Sequence, residues 1–154
     1  MRRGVRQVVR KLLTLSVGEW ADLARAQGAL LTAQFLVWTR PVGRLLDEAK
    51  PARATRRASL SEGDPVAPRM ALAVNRVATH GLFRPLCLVR VVALQRLLER
   101  RGITGSRIRI GVRRDGNELA AHAWVEYGVQ VLGDTVEHVG SFAHLADVRL
   151  VDRL

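Results

Sequence analysis

Cys87, His122 and Asp134 are three residue types that together can break an acyl bond, and they follow one another in that order. Cys87 comes two residues after Pro85, at the start of a helical pattern that runs from Leu86 to Arg101 and stops at Gly102. A thiol in the first turn of a helix meets the positive end of the dipole, which favours thiolate. Unpaired amides there can also receive the oxyanion of an attacked carbonyl. A cysteine nucleophile needs an imidazole partner within hydrogen-bond reach. His122 lies in the alternating stretch Ala120–Tyr127, on the face opposite Ala121, Ala123 and Val125. A carboxylate such as Asp134 can fix the imidazole tautomer and stabilise its charged form. If Tyr127-Gly128-Val129 forms a three-residue hairpin loop, Glu126 pairs with Gln130 and His122 stands directly across from Asp134. A two-residue loop instead turns Asp134 to the other face. Trp124 and Glu126 share the His122 face and are candidate substrate contacts. Each assignment has a plainer alternative: an inert apolar thiol, a strand histidine, a turn aspartate, a packed indole and a solvated carboxylate.

These side chains need elements to hold them. Val5, Val8, Val9, Leu12 and Leu13 recur at helical spacing with arginines between them. Ser16 and Glu19 have the spacing of a capping box. A helix is therefore predicted from Val17 to Trp38, with Trp20, Leu23, Leu30, Leu31 and Phe35 towards its buried side, and Trp20 and Trp38 packing between helices. Pro68 fits the first turn of a further helix running to His80 and closed by Gly81. In the Cys87 helix, Leu88, Val91, Val92 and Leu98 form the apolar side, and Arg90, Gln95, Arg96, Glu99 and Arg100 the polar one. After Gly105 the period changes to two: Ile108, Ile110 and Val112 alternate with polar residues and Gly111, and Asp115-Gly116 marks a turn. Gly128 opens the turn into Val129–Leu132, and Ser141 can cap a helix to about Val148. Helices followed by an antiparallel meander make the fold class α+β.

Composition bounds the possibilities. A chain of 154 residues with 48% hydrophobic content suits one globular domain, here read as 1–154. Within it, N-terminal helices occupy 1–50, a basic connection 51–67 and a catalytic core 68–154. Cys87 is the single cysteine, which excludes an internal disulfide and a multi-cysteine metal site. His138 and His144 have no short ligand pair beside them and read as surface histidines, so neither metal nor cofactor is expected. No apolar run reaches membrane-spanning length, and no signal peptide is evident, which points to a soluble cytoplasmic protein. The net charge is +11, with every basic residue except Lys11 and Lys50 an arginine. Arg53, Arg56 and Arg57 with the N-terminal basic helix raise nucleic-acid binding as an alternative. No helix-turn-helix, zinc finger or aromatic-and-basic strand signature accompanies them, and a surface complementary to an acidic leader or partner is expected instead.

Cys87-Leu88, Ala93-Leu94-Gln95-Arg96-Leu97-Leu98, Arg101-Gly102-Ile103, Ile110-Gly111-Val112 and Ala121-His122-Ala123-Trp124-Val125-Glu126 together resemble the leader peptidases of lasso-peptide biosynthesis. The match extends over about Pro85–Asp134. The resemblance implies a transglutaminase-like, papain-like cysteine-protease core with a catalytic helix packed on an antiparallel sheet. It implies Cys87 as nucleophile, His122 as its partner and Asp134 as the orienting carboxylate. The substrate it implies is a ribosomally made precursor peptide. The partners it implies are a separate leader-recognition protein and an asparagine-synthetase-like cyclase that closes the ring on the freed core. No Gly-rich phosphate loop suggests ATP use by this chain itself. A transglutaminase-like acyltransferase is the other enzyme such a scaffold allows.

Overall fold

The computed structural model of the chain describes residues 16–41 and 64–145. The expected Val5–Leu13 helix, the Arg53–Arg57 cluster and everything after Leu145 lie outside the described residues.

Helix α1 (Val17–Thr39) begins with the expected capping box: the Glu19 amide donates to Ser16 Oγ, and the Ser16 amide to Glu19 Oε2. The Ser16 amide and the Ser16 hydroxyl both donate to Glu19 Oε2 and hold its carboxyl below the usual range. The buried side of α1 is the expected one only in part: Leu30 is buried and Leu23 packs against the core. Ala26, Ala29, Leu30, Ala33 and Leu36 face inward, whereas Trp20, Leu31, Phe35 and Trp38 are exposed, Trp38 by 78%. Three alanines on one stripe let neighbouring helices approach closely, which bulky rings on that stripe would prevent. Helix α2 (Val66–His80) starts two residues before Pro68, because Asp64 accepts from the Val66 and Ala67 amides.

Helix α3 (Cys87–Arg100) is the centre of the molecule, touching α1, α2 and the sheet. It is accordingly buried on more than the predicted side, and even Gln95 is enclosed. The Gln95 amide donates to Glu99 Oε1 and the Ser106 carbonyl, and Ser106 Oγ donates to Gln95 Oε1. The helix closes in a Schellman turn: Gly102 (φ 72°) donates to the Glu99 carbonyl and Ile103 to that of Leu98.

Strands β1 (Ser106–Asp115), β2 (Glu118–Tyr127) and β3 (Gln130–Leu132) form the expected meander. Thr135 then caps a short helix, α4 (Val136–Gly140), and β4 (Ala143–His144) pairs with β1 at Gly111 and Val112. Ser141 thus ends a helix instead of starting one. The sheet order is β3-β2-β1-β4, all antiparallel. Ala123, Val125 and Tyr127 join the helical core, while Trp124, Val139 and Phe142 form a smaller cluster. The class is α+β, and no described helix is long and apolar enough to cross a membrane.

Candidate active site

Cys87 is the first residue of α3, is half-buried and packs against the main core. The residue before it, Leu86, is extended and caps the helix with no side chain. The first amides of α3 therefore have no side-chain acceptor, as an oxyanion-binding helix end requires. Arg90 braces this end by donating from Nε to the Pro85 carbonyl at 3.2 Å.

His122 and Asp134 meet, but not through the expected strand register. The β2–β3 loop has two residues, Gly128 and Val129, so Tyr127 pairs with Gln130 and Val125 with Leu132. In that register Asp134 is not the cross-strand neighbour of His122. The strand ends at Leu132, Gly133 takes φ 82°, and the chain bends so that Asp134 Oδ2 lies 2.5 Å from His122 Nε2. Few residues other than glycine accept that backbone angle. The other carboxylate oxygen accepts the Thr135 amide at 2.8 Å, and Asn75 of α2 donates to the Gly133 carbonyl at 2.8 Å. Both bonds fix the bend that aims the carboxylate. Cys87, His122 and Asp134 line one cavity together with Asn75, Arg90 and Trp124.

The imidazole rests against aromatic neighbours. Its ring centroid lies 6.2 Å from the near-parallel Trp124 and 5.2 Å from Phe142. Trp124 is only 1% exposed, and its indole donates to Glu126 Oε1 at 3.2 Å. Glu126 also accepts from Arg109 Nε at 2.8 Å. Burial pushes the Glu126 carboxyl up, but the hydrogen bonds from Arg109 and Trp124 and the charges of Arg109 and His144 outweigh it and hold it below the usual range. Trp124 and Glu126, the candidate substrate contacts, are thus tied to each other and to Arg109. The stack leaves no room on β1: a Cβ on Gly111, the strand partner of His122, would come within 2.9 Å of the Trp124 ring and 2.7 Å of Phe142 Cβ.

Residues 29–147 match the family model described as the transglutaminase-like superfamily, well over half of the sequence. The chain belongs to the transglutaminase-like superfamily. Neither the curated proteins nor the solved structures gave a match. Members of this superfamily are typically cysteine-protease-like enzymes, so the domain points to cysteine-protease or acyltransferase chemistry. The arrangement suits either: a thiol at a helix start and a carboxylate-held imidazole sharing a cavity can form and discharge a thioester.

Asn75, Gly111 and Phe142 were not among the candidates read from the sequence. Gly111 carried a signal, since an isolated glycine inside a strand often marks a close approach. Asn75 carried none, because its partner is a backbone carbonyl 58 residues away.

Proposed function

We propose that this transglutaminase-like protein is a cysteine peptidase that removes the leader from a ribosomally made lasso precursor peptide. The observation that carries the reading is the cavity shared by Cys87, His122 and Asp134, on a chain whose Cys-Leu helix and A-H-A-W-V-E strand resemble those leader peptidases. Nε2 of His122 is engaged by Asp134, which leaves Nδ1 as the nitrogen for exchange with the thiol. Cys87 gives its proton to His122 and attacks the carbonyl at the leader–core junction. The α3 amides receive the oxyanion. The C–N bond breaks as His122 protonates the departing core amine, leaving the leader as a thioester on Cys87. Water then loses a proton to His122 and attacks the thioester, releasing the leader carboxylate and restoring the thiol. Asp134 keeps the imidazole oriented and stabilises its charged form throughout.

The reading includes two partners: a leader-recognition protein that presents the precursor, and an asparagine-synthetase-like cyclase that consumes the freed amine. It assigns the work to the cytoplasm, where a lone thiol stays reduced. The test incubates precursor, recognition protein and this chain, with mass detection of both fragments. Two fragments whose masses sum to the precursor plus water are expected, and Cys87→Ala is expected to yield none. Retained cleavage by Cys87→Ala removes the nucleophile assignment. Equal cleavage without the recognition protein removes the division of labour. A leader–amine adduct in place of the free leader acid, formed when a primary amine is added, identifies an acyltransferase instead.

A further inference from the structure

We propose that His122, Asp134 and His138 form a binding site for a divalent transition-metal ion of the zinc class, and that occupation of this site switches the thiol chemistry off. Only the second half of this statement rests on the peptidase reading. One ligand atom from each of the three residues lies within 4.8 Å of the others. Zinc holds nitrogen and oxygen ligands at about 2.0–2.2 Å, so tetrahedral donors stand about 3.4 Å apart. Two side-chain rotations therefore reach binding geometry: His138 turns inward, and the 2.5 Å His122–Asp134 contact opens by about 0.9 Å to admit the ion. His138 is exposed and can make that rotation at little cost.

The scaffold around the cluster is fixed. Asp134 and His138 are four residues apart on one capped turn, in which Thr135 Oγ1 accepts the His138 amide at 3.2 Å and the Thr135 amide holds Asp134 Oδ1. Ser141 Oγ donates to the His138 carbonyl at 2.7 Å and closes the same turn. His122 comes from β2, already 2.5 Å from the carboxylate, and its ring meets the edge of His138 with centroids 4.9 Å apart. Two imidazoles and one carboxylate suit zinc, copper, nickel or iron; magnesium and calcium prefer oxygen alone.

The consequence for the thiol follows from proton count. A metal between His122 and Asp134 replaces the proton on Nε2. The imidazole then has only Nδ1 for a proton and cannot become the doubly protonated imidazolium that pairs with a thiolate. The carboxylate that oriented it is occupied as well. His138 has no part in thioester formation, so the metal site and the acyl-transfer site share two residues and differ in the third.

The test titrates zinc chloride alone into the full chain against a chromophoric chelator, with cobalt(II) absorption as a report of coordination. One equivalent is expected to bind, and His138→Ala is expected to lose about 10–100-fold in affinity. His138→Asp, which keeps a ligand at that position, is expected to regain binding and so separates ligation from packing. Cys87→Ala, which has no peptidase activity to lose, is expected to bind like the parent. In the cleavage assay, zinc is expected to stop the parent reversibly on chelation, and to do so only at 10–100-fold higher concentration with His138→Ala. No binding by the parent, unchanged affinity in His138→Ala, or affinity lost in Cys87→Ala but kept in His138→Ala overturns the site. Binding as described without inhibition of cleavage overturns the switch and leaves the site.

Discussion

Asp134 divides its two oxygens between the Thr135 amide and His122 Nε2, so its role can be varied by degrees. Asp134→Ala removes both the acceptor and the charge, and kcat for precursor cleavage is expected to fall by about 10³-fold or more. Asp134→Asn retains an amide oxygen able to accept from Nε2, and is expected to fall between the parent and the alanine variant. A turnover for Asp134→Ala within tenfold of the parent would show that the carboxylate does not position the imidazole. Glu126 offers a second residue-scale test, this time of stability. Its carboxyl is held below the ordinary value, so the unfolded chain binds the proton more readily than the folded one. Its contribution is complete above the ordinary glutamate value of about 4.3 and is lost as pH falls through the lowered folded value. Melting curves of Glu126→Gln and the parent are expected to differ at neutral pH and converge as the pH drops through that window. Cys87, His122 and Asp134 were legible as types in order, because each announces a chemistry. Asn75 was not, since a side chain that supports a distant backbone carbonyl leaves no pattern along the chain.

Among the elements, alternation placed β1 and β2, and the capping box placed the start of α1, because both signals are local. The His122–Asp134 contact was expected from a register that the chain does not adopt. A two-residue loop and the bend at Gly133 bring the same atoms together by another path. The buried face of α1 was legible at Leu23 and Leu30 but not at Trp20, Leu31 and Phe35, for a physical reason. Periodicity weighs Trp20, Leu31 and Phe35 heavily, whereas close helix packing selects the small Ala26, Ala29 and Ala33. Gly111 shows the same preference for smallness in the sheet. Gly111→Ala pushes a methyl group against Trp124 and Phe142, the two rings that flank His122. Overpacking of this kind costs about 1–3 kcal/mol. Denaturant unfolding is expected to show that loss, with a shifted Trp124 emission and a reduced kcat. Unchanged stability and turnover would mean that the stack adapts and does not hold the imidazole.

At the scale of the whole molecule, the three long helices among the described residues meet at a buried charge. Asp22 of α1 is only 4% exposed, yet it lies 3.1 Å from Arg25 of its own helix, 3.0 Å from Arg69 of α2 and 3.2 Å from Arg101, just past the end of α3. In a chain of net charge +11, arginines of three segments converge on this one carboxylate. Their guanidinium groups stay partly exposed, so they retain some hydration while the carboxylate has given up nearly all of its own. Removing the carboxylate leaves three like charges facing one another with no anion between them. Loss of one partner from a buried ionic group costs about 3–5 kcal/mol, against about 0–1 kcal/mol for an exposed pair. Asp22→Ala is expected to fall in the first range by denaturant unfolding, and Asp22→Asn to recover part of the loss through its amide oxygen. The cavity is not lined by Asp22, so kcat of the folded variant, measured well below its melting temperature, is expected to match the parent. A loss below about 1 kcal/mol would make the cluster a surface pairing. A large loss with intact turnover would make it a joint that stabilises the packing of α1, α2 and the end of α3 without setting the position of Cys87.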